Sequence, residues 1–359
     1  MSAGAPVETN RTAAGDRTRR ARLAILLLAI LLLATMLLSL ASGASGASAL
    51  VILRDLFGQA DAEALRDRII IYDIRLPRLL LGALVGAALA VSGAVMQGLF
   101  RNPLADPGLV GVSSGASLGA VAMIVLGPTM FGSFNATLGP LALPVMAFLG
   151  GLITTFVLYQ VATRQGRTSV ATMLLAGIAL GALAMAVTGV MIFIADDRQL
   201  RDLTFWSLGS LAGATWSKIY VVGPIILASL AISPFLARGL NALALGEPTA
   251  HHMGIPVQKL KYAAIVSVAA AVGAAVAVSG GIGFVGIVVA HMLRLAIGPD
   301  NRYLLPASAL LGASLLLLAD AIARTIVAPA ELPIGIVTAL AGAPFFLWIL
   351  LRKRGLLDL

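Results

Sequence analysis

Cysteine is absent from this 359-residue chain. That excludes a disulfide framework, a thiolate metal site and a cysteine nucleophile. Charge is scarce as well: Asp, Glu, Lys and Arg make up 11% of the residues, against about 25% in an ordinary soluble protein. Lysine is rarer still, and no Gly-x-x-x-x-Gly-Lys-Ser/Thr loop occurs. The chain therefore lacks the P-loop route to ATP, and any ATP-driven work falls to another polypeptide.

What the chain has is apolar length. Hydrophobic residues make up 59% of it. No Asp, Glu, Lys, Arg or His interrupts Leu23–Leu53, Leu79–Phe100, Pro107–Thr163 or Thr168–Ala195. The same is true of Ile219–Ala237, Tyr262–Ala290, Tyr303–Ala319 and Leu332–Leu351. A spanning helix needs about 20 apolar residues, and the Pro107–Thr163 run has room for two. The pattern predicts an all-α, polytopic membrane protein of ten spans. They fall near 23–43, 77–99, 108–126, 140–162, 169–194, 215–236, 261–279, 282–298, 304–321 and 334–351. Gly127-Pro128, Gly139-Pro140, Gly280-Gly281 and Gly298-Pro299 mark breaks between them. Residues 1–20 read as a disordered cytoplasmic tail, and residues 21–359 as one transmembrane domain. Arg17, Arg19, Arg20 and Arg22 before Leu23–Leu40 imitate a secretory signal. The apolar run exceeds the usual h-region of about 7–15 residues, which favours an uncleaved first span.

The net charge of +9 does not signal nucleic acid, because the basic residues sit between apolar runs. An even span count puts both termini on one side. With that side cytoplasmic, the inner loops take the larger share of Lys and Arg, and the outer loops take most of the acids. The positive-inside rule then places both termini in the cytoplasm.

Two glycine spacings, Gly82/Gly86 and Gly177/Gly181, suit close helix packing within one subunit. Val85–Gly93 matches Val272–Gly280 at all positions except Leu89/Val276. This pairs the second span with the seventh. An odd offset makes the copies antiparallel, which is an inverted repeat of the kind transporters use. Gly115-Ala116-Ser117-Leu118 and Gly312-Ala313-Ser314-Leu315 give a weaker echo.

Sites for chemistry are few. His251 and His252 are adjacent and cannot share one helix face, and His291 stands alone in its span, so no metal site is expected. An ion-coupled carrier would need a buried carboxylate, for which Asp320 is the one candidate inside a span. An intramembrane enzyme would need a partner for His291 that the sequence does not supply. The 238–261 segment is too polar to span yet carries Leu243, Leu245, Met253 and Ile255, and it suits short helices that dock a partner. Arg75, Arg78 and Arg324 lie at outer helix ends, where they can meet carboxylates of a docking protein or anchor at headgroups. Met96 and Gln97 are candidates to line a path.

The run Arg75-Leu76-Pro77-Arg78 is followed by Ser92-Gly93-Ala94-Val95-Met96-Gln97-Gly98-Leu99-Phe100-Arg101-Asn102-Pro103-Leu104-Ala105-Asp106-Pro107-Gly108. Further on come Ala244-Leu245-Gly246-Glu247, Gly281-Ile282-Gly283-Phe284-Val285-Gly286, Ala330-Glu331-Leu332-Pro333-Ile334-Gly335 and Gly342-Ala343-Pro344. Together these resemble the FecCD family of ABC importer permeases, which serve cobalamin, ferric siderophores and haem. The resemblance runs from Leu23 to Arg352. It implies a homodimer with a path along its axis, two cytoplasmic ATPase subunits and a periplasmic binding protein; no cofactor is expected. It implies that Arg75, Arg78 and Arg324 meet glutamates of the binding protein. It also implies that the loop with Leu245, Gly246, Glu247 and Gly254 sits on the ATPase. Two positions depart from the family pattern: Ala290 stands where proline usually precedes the histidine, and His251-His252 occupy the coupling loop. Overall similarity is greatest to the haem permeases, which implies haem as cargo in a bacterial inner membrane.

Overall fold

The computed structural model describes residues 17–43, 65–165 and 167–352. Ten apolar helices organise it. They are α1 (Thr18–Ala41), α2 (Leu76–Phe100), α3 (Val112–Leu126), α4 (Ala142–Ala162) and α5 (Val170–Ile194), then α6 (Trp216–Leu243), α7 (Val257–Ser279), α8 (Val285–Ile297), α9 (Asn301–Thr325) and α10 (Ile334–Arg352). Each coincides with one expected span. Seven are long and apolar enough to cross a membrane, and α3, α8 and α10 carry shorter apolar segments. The expected tail at 1–20 falls mostly outside the described residues. Thr18–Arg20 already belong to the first turn of α1.

Polar side chains start several helices by accepting otherwise unpaired backbone N–H groups. Ser169 does so for α5, Thr215 for α6 and Asp300 for α9. Asp196 and Gln199 form a reciprocal capping box on the short helix Asp197–Ser207. A two-residue-per-strand hairpin, β1 (Thr163–Arg164) and β2 (Arg167–Thr168), joins α4 to α5.

Helix α2 is the central post, packed against α6, α7, α8 and α9. Its small residues permit that crowding. A Cβ on Gly86 would stand 2.4 Å from the Gly312 carbonyl oxygen of α9, and one on Gly93 would stand 2.2 Å from that of Gly286 on α8. The Gly82/Gly86 spacing thus packs helices within the subunit. The Gly177/Gly181 spacing lies on α5, which contacts chiefly α3 and α4 and leaves most of its apolar face uncovered.

The strong repeat falls on α2 and α7 as expected. Its last residue, Gly93 or Gly280, receives another chain segment against its backbone in both copies. In the second copy that segment is the Trp206 carbonyl. The weaker echo does not extend the pairing. Gly115–Leu118 lies on α3 and Gly312–Leu315 on α9, six spans apart, so those two stretches run in the same direction.

Two spans are broken. Helix α3 has 15 residues and α8 has 13. At about 1.5 Å per residue neither crosses a hydrocarbon layer of about 30 Å unaided. Residues 101–111 lead into α3 and residues 280–284 into α8 without regular α-helix. The second break is bonded by the segment before α6, which is bonded in turn by the start of α10. Ser210 N–H donates to the Ser279 carbonyl (2.7 Å), Ile334 N–H to Gly209 (3.0 Å) and Gly335 N–H to Leu208 (3.1 Å).

The glycine contacts set a test. Gly93→Ala should cost about 1–3 kcal/mol, because backbone must move to admit the methyl group. Gly189→Ala in α5, with nothing within 4 Å, should stay within about 0.5 kcal/mol of the parent. Thermal unfolding of the two purified variants in nanodiscs reads the difference, and equal midpoints would refute the packing account.

Candidate functional site

Among the described residues, the hydrogen bonds that tie one loop to another join loops at the same end of the bundle, as ten alternating spans require. Arg75 and Lys261 lie at opposite ends. The end where α1 starts is the near end, and the end where it stops is the far end.

At the far end, the three arginines come together but do not project. Arg75, Arg78 and Arg324 are only 4%, 7% and 6% exposed. Their guanidiniums are held by partners within this chain. Arg78 grips Asp320 through Nε and Nη2 (3.0 and 2.9 Å), and its Nη1 donates to Glu331 Oε1 at 2.9 Å. Arg324 Nε meets the other Asp320 oxygen at 3.0 Å. Arg75 Nη1 donates to the Leu40 carbonyl (2.6 Å), and Arg324 reaches Ser39 and the Ser42 carbonyl. Two cations therefore sit at the C-terminus of α1, where the helix dipole and the last unpaired carbonyls favour positive charge. Arg75, Arg78, Arg324 and Glu331 line one cleft of about 200 Å³ with Gly43 and Pro329. Of the two acids, Asp320 is buried and Glu331 is exposed. Sequence reasoning missed both as partners. A carboxylate one turn before Arg324 was the available signal for Asp320.

The same geometry removes Asp320 as a coupling-ion site. A carboxylate held by two guanidiniums is already neutralised, whereas a coupling site must release and rebind its ion. Among the described residues no group of three or more His, Cys, Asp and Glu side chains is placed to hold a metal. His291 is buried in α8, and His251 and His252 are exposed at the near end.

At the near end, the 238–261 segment resolves into the last turns of α6, one short helix Glu247–His252 and the start of α7. Gly246 and Gly254 flank the short helix at φ +104° and +79°, values that favour glycine. Leu245 and Met253 stand exposed on either side of it. Glu247 pairs with Lys261 Nζ at 2.7 Å. Nearby, Asn241 and Arg302 both bind Asp300, and the Arg302 guanidinium holds that carboxyl below the usual carboxylate range.

Met96 and Gln97, the expected path residues, are fully buried within α2, and the Gln97 amide donates to the Ile287 carbonyl of α8. They face helix neighbours because α2 is enclosed by four spans. The open space lies elsewhere. A cavity of about 300 Å³ is lined by Asp106 and Ser113 at the start of α3, by Ile282 and Phe284 before α8, and by Trp206 and Ser207. The two broken spans thus begin at one cavity. In membrane proteins irregular backbone is tolerated where it is buried in protein or lines such a space, and paired broken helices mark substrate sites in transporters.

The ion pairs at the far end carry their own test. Asp320→Asn strands two buried guanidiniums and should cost about 3–5 kcal/mol. Glu331→Gln, at an exposed position, should cost less than about 1 kcal/mol. Thermal midpoints of the two variants check the order, and a smaller loss for Asp320→Asn would overturn it.

The model of the FecCD transport family matches residues 27–352. The chain is 48% identical over 316 residues to the hemin transport system permease protein HmuU of Yersinia pestis, covering 88% of this chain and 92% of that one. It is 44% identical over 287 residues to the cobalamin import system permease protein BtuC of Halobacterium salinarum, covering 80% and 74%. A solved structure described as an inward-facing metal-chelate type ABC transporter superposes with a TM-score of 0.79 at 32% identity, covering 91% of this chain and 98% of that one. The chain belongs to the FecCD transport family and is the membrane-spanning permease of an ABC importer.

Proposed function

We propose that this permease imports haem across the bacterial inner membrane, driven by two separate cytoplasmic ATPase subunits and loaded by a periplasmic binding protein. The observation that carries the cargo is the 48% identity to a hemin permease along nearly the whole of both chains. Ferric siderophore or cobalamin import by the same mechanism is the alternative, favoured by the cobalamin relatives at 44%. A second copy of the chain completes the path, and the uncovered apolar face of α5 supports such a pairing. The near end is cytoplasmic in this reading, with both termini inside.

The binding protein docks over the far-end cleft, where its carboxylates meet the edges of Arg75, Arg78 and Arg324. The ATPase takes Leu245, Gly246, Glu247 and Gly254. Movement there tilts the spans around the cavity between α3 and α8, opening it first to one side and then to the other. This chain performs no covalent step. The absence of a metal-ligand cluster among the described residues suits cargo that must leave: tight iron ligation would trap it.

Proteoliposomes holding the complete importer decide the cargo. Haem uptake should exceed cobalamin and ferric siderophore uptake by at least about tenfold, a preference worth about 1.4 kcal/mol. Equal or reversed rates would sink the haem reading. Because the chain has no cysteine, single replacements report orientation cleanly. Leu245→Cys should react with an impermeant maleimide only from the cytoplasmic side, and Met130→Cys only from outside; the reverse pattern would invert the topology. Arg75→Gln leaves the Arg78–Asp320–Arg324 pairs standing. It should weaken docking of the loaded binding protein by about fivefold or more and reduce its salt dependence, read by surface plasmon resonance on nanodiscs. Unchanged docking removes Arg75 from that role.

A further inference from the structure

Lys261 is a buried cation at the near end of α7, only 2% exposed. Its ammonium contacts two other segments. Nζ lies 2.7 Å from Glu247 Oε1, at the first residue of the short helix Glu247–His252. Nζ also donates to the carbonyl of Thr168, the last residue of β2, at 2.8 Å. One turn earlier on α7, Gln258 Oε1 accepts the Thr168 N–H at 2.9 Å. Both backbone groups of Thr168 are therefore held by side chains three positions apart on one helix face. Thr168 also shares a hydroxyl contact of 3.0 Å with Thr163, which ties β1 to the same point.

We infer that Lys261 is a positioning residue: it clasps the short near-end helix to the α4–α5 hairpin and passes that helix's displacement to α5. This rests on the coupling role proposed above for the 245–254 loop. The geometry supports transmission by three features. Glu247 is the outward part of the clasp, half in solvent, with the exposed Leu245 and Met253 beside the helix it begins. Thr168 lies two residues before α5, the span with the most uncovered apolar surface beyond α1. The link between them is one ammonium group with no slack, because a buried charge stripped of either partner is costly. A push on Glu247 thus moves Thr168, and with it the base of α5. An ordinary packing role for Lys261 would need no second contact to a different connection.

Two measurements test the inference. In the isolated permease, Thr168→Cys is a buried reporter in a cysteine-free chain. Adding Lys261→Met should raise its maleimide labelling rate by about tenfold, as the hairpin detaches, and Lys261→Arg should keep it near the parent rate. In the complete importer, Lys261→Met should leave ATP hydrolysis within about twofold of the parent while haem uptake per ATP falls by about tenfold. Glu247→Gln, which leaves the Thr168 contact in place, should lower the same ratio, and the double variant should be no worse than Lys261→Met alone. Uptake and hydrolysis falling in proportion would make Lys261 merely structural and overturn the inference. So would faster labelling with an unchanged uptake-to-hydrolysis ratio. If the unaltered importer moves cobalamin and not haem, the cargo reading fails while the ratio, measured with cobalamin, still tests the clasp.

Discussion

Hydrocarbon offers no hydrogen-bond partner, so a chain that breaks its helices inside a membrane must cover each break with more of itself. That constraint shapes this bundle. Where α7 stops at Gly280, Ser210 N–H supplies a donor to the Ser279 carbonyl, and the 333–335 segment bonds in turn to Leu208 and Gly209. Where α8 starts, Gly286 lies against Gly93 of α2 so closely that neither could carry a side chain without a shift. Glycine serves here for approach between backbones, and the breaks exist only because α2 is thin enough to pack beside them. A cavity then remains between the starts of α3 and α8, walled by segments that are not committed to regular helix. Such segments are the ones that can change shape without tearing a span.

The ends of the bundle obey a second constraint, the cost of burying charge. Each buried cation has found partners from distant parts of the chain. At the far end, Asp320 satisfies Arg78 and Arg324 together, while Arg75 and Arg324 cap α1. At the near end, Lys261 joins three segments. These contacts are not surface ion pairs of small worth. They tie loops that the sequence separates by tens to hundreds of residues, so the rigidity of each end depends on a few charged groups. A docking partner acting at either end meets that set before it meets the spans.

The architecture was legible because the signal for it is coarse. Uncharged runs of sufficient length announced ten spans, and every one has its helix. Boundaries were harder: α6 continues to Leu243 and α9 begins at Asn301, because helices extend into polar flanks when caps and salt bridges support them. The short helix of the near-end loop was readable from its apolar residues, of which Leu245 and Met253 stand exposed while Leu243 is buried. The state of the far-end arginines was not. Their positions were clear from sequence, but pairing of Arg78 with Asp320 joins residues 242 apart, and nothing local encodes it. Whether Met96 and Gln97 line a path was not legible for a related reason. A polar or flexible side chain in a span reads alike whether it faces a path or a neighbouring helix, and only the packing of four helices around α2 decides.

The distribution of polar groups also separates the kinds of transport this fold can perform. A carrier driven by an ion gradient needs a titratable or ion-binding group that changes occupancy as the protein changes state. Here the buried acid of the far end is fixed between two guanidiniums, and the buried lysine of the near end is fixed between a carboxylate and a carbonyl. Neither is poised for exchange. Both tie separate segments of the chain to one another. The near-end hairpin and short helix lie against one another through Lys261, so a displacement applied at the surface has a direct route into the spans and needs no ion to carry it.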